Sequence, residues 1–227
     1  MSIIIKYKNL SGEQITSQQA QNIKDYYFKE EYDGNLDLRK RISYDQGEIF
    51  HVIHYLKNDE DFNNAIIYSS NQYGGGGFYF NKQIINGYTS WDIESYENMT
   101  KVDKAKKICD ATGRTIAYQK IDIHTNEIIN TKKYFYLDGL GSFFSEAPPI
   151  PDNGRFDFSY DDPDLEPGEI FVVINLMLYM DVGGGGFNIG AEENIFFESP
   201  ELASVFTWED HPYYHSASPL IPNITIV

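Results

Sequence analysis

The sequence predicts a mainly β protein: antiparallel sheets in two duplicated, pseudo-symmetric halves, with one or two short helices and α+β as the neighbouring class. Three observations carry this expectation. The 18 tyrosines and 15 phenylalanines are residue types that pack well on a pleated, half-buried surface. Turn signals separate short aromatic and β-branched runs along most of the chain. One stretch of sequence occurs twice.

The repeat is Gly47-Glu48-Ile49-Phe50-His51-Val52-Ile53-His54-Tyr55-Leu56, which returns as Gly168-Glu169-Ile170-Phe171-Val172-Val173-Ile174-Asn175-Leu176-Met177 with six of ten positions identical. Each copy follows a Ser-Tyr-Asp, at Ser43 to Asp45 and at Ser159 to Asp161. Each precedes four glycines and a phenylalanine, Gly74 to Phe78 and Gly183 to Phe187. Each then reaches a tryptophan between a hydroxyl residue and an acid, Ser90-Trp91-Asp92 and Thr207-Trp208-Glu209. A Tyr…Asp-Gly turn lies ahead of both copies, at Asp33-Gly34 and Asp138-Gly139. The order is shared and the spacings differ, which divides the chain into half-repeats 1–110 and 111–227 packed as one body. Two units are too few for a solenoid, which needs about three.

Taken in order, Gly12, Asp33-Gly34, Asp110-Ala111-Thr112-Gly113 and Thr125-Asn126 mark turns between strands. Ile170 to Met177 is apolar at successive positions, the pattern of a strand covered on both faces, and Ile49 to Leu56 takes the equivalent place. A helix is expected over Ser17 to Phe28, where Ala20, Ile23, Tyr27 and Phe28 follow a Thr16/Ser17 cap. A second is expected over Met99 to Ile108. Residues 146–169 hold five prolines and eight acids against the single base Arg155, and read as a stiff exposed loop.

Charge is distributed unevenly. Phe156 to Val227 contains 13 acids and no lysine or arginine, whereas the first 155 residues hold 21 acids and 18 bases. A one-sign field of this kind repels nucleic acid and anionic membrane and attracts a cationic partner. The N-terminal apolar run, Ile3 to Ile5, is too short for a signal-peptide core, and Ile170 to Met180 is too short to span a bilayer. The lone Cys109 excludes an internal disulfide. The expectation is a cytoplasmic protein.

Motifs for chemistry are sparse. The glycine runs lead into strand-like Phe78-Tyr79-Phe80 and Phe187-Asn188-Ile189 without a phosphate-loop lysine. Close backbone approach or a bulge explains them better than a phosphate cradle. His51 and His54 fall on opposite faces of a strand, and His211 with His215 lacks a third ligand, so no metal is assigned. Asp162, Asp164 and Glu166 alternate as calcium-loop ligands do, but Pro167 and Val173 stand where that loop needs glycine and glutamate. Cys109 with His124 is a bare pair, and neither a nucleophile elbow nor a zinc-protease motif is present, so no catalytic residue or cofactor is assigned.

These readings converge on a non-enzymatic acidic protein that binds a basic protein partner, in its sharpest form an immunity or antitoxin-type inhibitor occupying the basic cleft of a toxin. The contact residues expected are Asp161, Asp162, Asp164 and Glu166 in the loop, with Glu198, Glu201, Glu209, Asp210, Tyr213 and Tyr214 near the end. The alternative is a carbohydrate- or small-ligand-binding β module with Trp91, Trp208 and tyrosines as stacking platforms.

Overall fold

A computed structural model describes residues 3–23, 26–136, 155–160, 170–179, 186–189 and 208–223. It is mainly β, with two short helices. The strands are β1 (Ile4–Asn9), β2 (Gln14–Ile15), β3 (Tyr27–Tyr32), β4 (Leu38–Asp45), β5 (Glu48–Tyr55), β6 (Gly75–Ile85) and β7 (Tyr88–Glu97), then β8 (Thr100–Cys109), β9 (Thr115–Ile121), β10 (Ile128–Tyr136), β11 (Arg155–Tyr160), β12 (Phe171–Tyr179) and β13 (Gly186–Ile189). Helix α1 is Ser17–Asn22 and α2 is Phe62–Tyr73. The strands form a single sheet in the order β13-β12-β11-β10-β9-β8-β7-β6-β5-β4-β3-β1-β2. By internal contacts the chain divides into two units. Unit 1 is Met1–Gln83 with Trp91–Ala105, and unit 2 is Ile84–Ser90 with Lys106–Val227.

The sheet is mixed where a purely antiparallel arrangement was expected, because β5 and β6 run parallel, with Ile53 opposite Gly77 and Tyr55 opposite Tyr79. Parallel neighbours need a crossover, and α2 supplies it. Asp61 caps α2 by accepting from the Asn64 N–H at 3.0 Å, and Gly74 ends it in the left-handed conformation at φ 76°. The sequence reading missed this helix, since its Asn and Ser content resembles a loop. Only a thin stripe, Phe62, Ala65, Ile66 and Ser69, follows helical spacing. Ile66 is buried with Leu56 and Phe78, and Phe62, Ala65, Phe80 and Tyr96 pack around them.

Helix α1 is confirmed but shorter than expected. Thr16 and Gln19 form a reciprocal capping box, and the helix ends at Asn22; Tyr27 and Phe28 belong to β3. The expected helix over Met99–Ile108 is strand β8. Asn98 and Met99 take φ of 45° and 68°, making the turn that folds β8 back from β7. The turns at Asp33-Gly34 and Asp110–Gly113 join strands as expected. Asp33 Oδ1 accepts from the Asn35 and Asp37 amides, and Asp110 Oδ1 accepts from those of Thr112 and Arg114. The Asp138-Gly139 turn lies outside the described residues.

Strand β5 is not covered on both faces. Val52, His54 and Leu56 are buried while Phe50 and His51 are exposed, so the two histidines do take opposite sides. Of the repeated stretches, Ser43-Tyr44-Asp45 ends β4 and Ser159-Tyr160 ends β11, while Ile49-Phe50 lies at the start of β5 and Phe171 starts β12. Beyond that point the copies differ. β6 follows a helix and runs parallel to β5, whereas β13 pairs antiparallel with β12. Unit 2 has its own apolar cluster, Tyr88, Ile108, Ile116 and Ala117, against which Leu220 and Ile221 pack.

Candidate functional site

The first glycine run is a packing device in unit 1. A Cβ on Gly75 would sit 2.1 Å from the Tyr96 carbonyl oxygen, and one on Gly76 would meet Ser69 Oγ at 2.8 Å and the Val52 carbonyl at 3.0 Å. The backbone therefore passes too close to its neighbours for any side chain. Ser69 has no exposed surface; its hydroxyl donates to the Gly75 carbonyl at 2.6 Å and lies 2.9 Å from His54 Nε2. With the Ser69 proton committed to Gly75, the serine accepts from the imidazole. The pair has serine and histidine chemistry but braces the crossover instead of presenting a nucleophile. Burial, helped by the nearby Lys40 charge, pushes the His54 pKa down to about 4.

Several acidic side chains of unit 1 are paired with bases. Glu30 is buried between Arg41 and Lys8, with Tyr32 donating a hydroxyl. Burial opposes its ionised form, but the Tyr32 hydroxyl and the Arg41 charge outweigh it and hold the carboxyl below its ordinary range. Glu31 bridges Lys29 and Lys40, Asp33 pairs with Lys57, Glu60 with Arg39, and Glu94 with Lys101.

A cleft of about 380 Å³ opens on unit 1, with Tyr55 and Trp91 as aromatic walls and Asp37, Arg39, Lys57 and Lys82 among its lining. Three neighbouring strands supply an aromatic row: Tyr55 on β5, Tyr79 on β6 and Trp91 on β7. Tyr55 meets Trp91 edge to face at 5.8 Å and 72°. Lys82 Nζ stands 5.5 Å over the Trp91 ring. Trp91 is half-buried and lines the cleft.

The C-terminal segment of unit 2 is pinned by a buried lysine. Lys133 has no exposed surface, and its ammonium donates to the carbonyls of Tyr213 at 2.6 Å and Ser216 at 2.7 Å, 3.9 Å from the Tyr213 ring centroid. Burial lowers its pKa to about 8. Tyrosines complete the clamp: Tyr213 donates to the Leu220 carbonyl, Tyr214 to the Tyr134 carbonyl, and Tyr160 to the Tyr214 carbonyl. Burial raises the pKa of all three phenols above the ordinary value.

Of the residues expected to contact a partner, Asp161, Asp162, Asp164, Glu166, Glu198 and Glu201 lie outside the described residues. Glu209 and Asp210 are exposed on a 3₁₀ turn, Trp208–Asp210, while Tyr213 and Tyr214 hold the adjoining turn, Pro212–Tyr214, with their hydroxyls engaged internally. His211 packs edge-on against Phe135 at 5.1 Å, and His215 is exposed. Among the described residues no group of three histidine, cysteine, aspartate or glutamate side chains is placed to hold a metal, and no helix is long and apolar enough to cross a membrane. Cys109 is buried, and burial raises its thiol pKa. The Trp91 cleft and the Lys133 clamp were not legible beforehand; each joins residues far apart in sequence. No protein-family model matches the chain, and neither a curated protein nor a solved structure does.

Proposed function

We propose that this chain is a non-enzymatic protein of the cytoplasm that binds a basic protein partner, acting as an immunity or antitoxin-type inhibitor of a toxin. The observation that carries the reading is the run from Phe156 to Val227, with 13 acids and no lysine or arginine. Supporting it, bases of the earlier residues are engaged with carboxylates close by, as at Glu30, Glu31, Asp33 and Asp110. Glu209 and Asp210 stand exposed on the turn just before the Pro212–Tyr214 turn, whose Tyr213 carbonyl Lys133 holds. Fixed acids facing solvent steer and hold a cationic surface at low entropic cost. In this reading Tyr213 and Tyr214 position the segment, and the acids make the contact.

The two sets of landmarks are proposed to descend from one duplicated unit, supported by their common order. The C-terminal copy then differs from the N-terminal one in its scarcity of bases as well as in its strand pairing. The test of function is a pull-down from source lysate at about physiological and at high salt, where exposed charge pairs weaken. A basic protein retained at low salt and released at high salt is the expected result. Retention of no protein by folded bait would overturn the reading.

A further inference from the structure

The cleft beside Trp91 runs against the charge of the chain. In a protein of formal charge −16, Arg39, Lys57 and Lys82 line it against the single carboxylate of Asp37. Two of the cations are fixed before any ligand arrives. Lys57 Nζ is 2.7 Å from Asp33 Oδ2, and Asp33 is itself held through Oδ1 by the amides of Asn35 and Asp37. Arg39 is bonded to Glu60, whose Oε2 also accepts from the Lys57 amide at 2.9 Å. Neither Asp33 nor Glu60 lines the cleft. The carboxylates that orient the cations thus stay out of the space a ligand would fill. Lys82 is exposed and brings its ammonium to the Trp91 ring.

We propose that this cleft binds a sugar ring bearing a carboxylate. The ring's C–H face packs on the indole of Trp91, with Tyr55 as the second wall. The ligand carboxylate meets Lys82 and the pre-positioned Arg39 and Lys57. Ring hydroxyls donate to Asp37 and pair with Asn58, which also lines the cleft. Preorganised charge and a rigid aromatic wall reduce the ordering cost of binding. A volume of about 380 Å³ suits one or two sugar units. A neutral sugar would give the Lys82 ammonium no anion to meet. A planar aromatic acid would leave Asp37 and Asn58 without hydroxyls. The proposal is independent of the acidic-partner reading, which concerns unit 2.

The test is titration of the full chain with methyl β-glucuronide, methyl β-glucoside and benzoate, followed by tryptophan fluorescence, in the native protein and in Trp91→Phe and Lys82→Met. The expected result is a saturable change with the glucuronide, with glucoside and benzoate each weaker by about tenfold or more, the loss expected when a charged hydrogen bond goes unmade. Lys82→Met weakens the glucuronide by a similar factor, and Trp91→Phe abolishes the signal. Lys82 is exposed, so its variant reports even if Trp91→Phe is poorly folded. Three outcomes overturn the proposal: no saturation by glucuronide in the native chain, equal binding of benzoate or glucoside, or unchanged glucuronide binding in Lys82→Met.

Discussion

Replacing the four glycines of the first run by alanine, one at a time, should give four different costs that follow the backbone and not the composition. Gly75→Ala is the severe case. Its Cβ would fall 2.1 Å from the Tyr96 oxygen, 3.0 Å from the Tyr96 carbonyl carbon and 3.1 Å from Glu97 Cα, and all three atoms are backbone of β7. No rotamer change relieves that overlap. β6 and β7 must separate by about an ångström, and the expected loss is about 3–5 kcal/mol, in the range of core disruptions. At Gly76 the nearest atom is a side chain, Ser69 Oγ at 2.8 Å, but its hydrogen bonds to Gly75 and His54 hold it in place, and Val52 O lies at 3.0 Å. A loss of about 2 kcal/mol follows. Gly74→Ala meets nothing within 4 Å and strains only the left-handed helix end at φ 76°, which costs about 1 kcal/mol. Gly77→Ala makes ordinary contact with the His51 ring at 3.7 Å and should stay within about 0.5 kcal/mol of the parent. Urea unfolding of the four variants, followed by far-ultraviolet circular dichroism, reads the series directly. A Gly75→Ala protein no less stable than Gly77→Ala would refute the close approach of β6 to β7. It would also reopen the possibility that the glycines serve a ligand.

Three further outcomes are expected. The unfolded chain protonates His54 near 6.5 while the folded chain resists until about pH 4, so this group's contribution is complete above pH 6.5 and declines as pH falls toward 4, by about 3 kcal/mol; stability measured across that window in His54→Gln, which retains a donor for Ser69, should lack that part of the slope. Lys133→Met leaves the Tyr213 and Ser216 carbonyls without their donor and should destabilise by about 2–4 kcal/mol at neutral pH. The folded chain releases the Lys133 proton near pH 8 and the unfolded chain near 10.5, so native stability should rise through that interval relative to Lys133→Met, and parallel profiles in urea titrations would contradict this. Reversing Glu209 and Asp210 to lysine together should leave the melting temperature nearly unchanged, slow association with the basic partner and flatten its salt dependence, which stopped-flow mixing at two ionic strengths checks.

The strands were legible because their signals are local. Asp33-Gly34 and Asp110–Gly113 are turns whose aspartates bond their own backbone, and such chemistry is written within five residues. The errors came where a local pattern had two solutions. Met99 to Ile108 has apolar residues at spacings a helix would also use, and the left-handed Asn98-Met99 turn that commits it to a strand leaves little trace in composition. Helix α2 went unseen because its buried stripe is narrow and one of its inward positions is a serine, whose partner His54 lies fifteen residues earlier. The Trp91 cleft draws on β4 and the residue before it, on β5, β6 and β7 and on the turn after β5, so no single window of sequence contains it.

From β3 to β13 the order of strands across the sheet is the order of strands along the chain. Each strand can therefore join an edge that was laid down just before it, and the sheet can grow in one direction as the polypeptide is synthesised. Where only a few residues join neighbouring antiparallel strands, as between β4 and β5, the pairing closes a short loop and forms early. One step breaks the rhythm. β6 cannot add to β5 until the twelve residues of α2 have crossed back, so a chain paused there would hold β5 as a bare edge. An unpaired strand edge of that kind is a template on which other chains can pair.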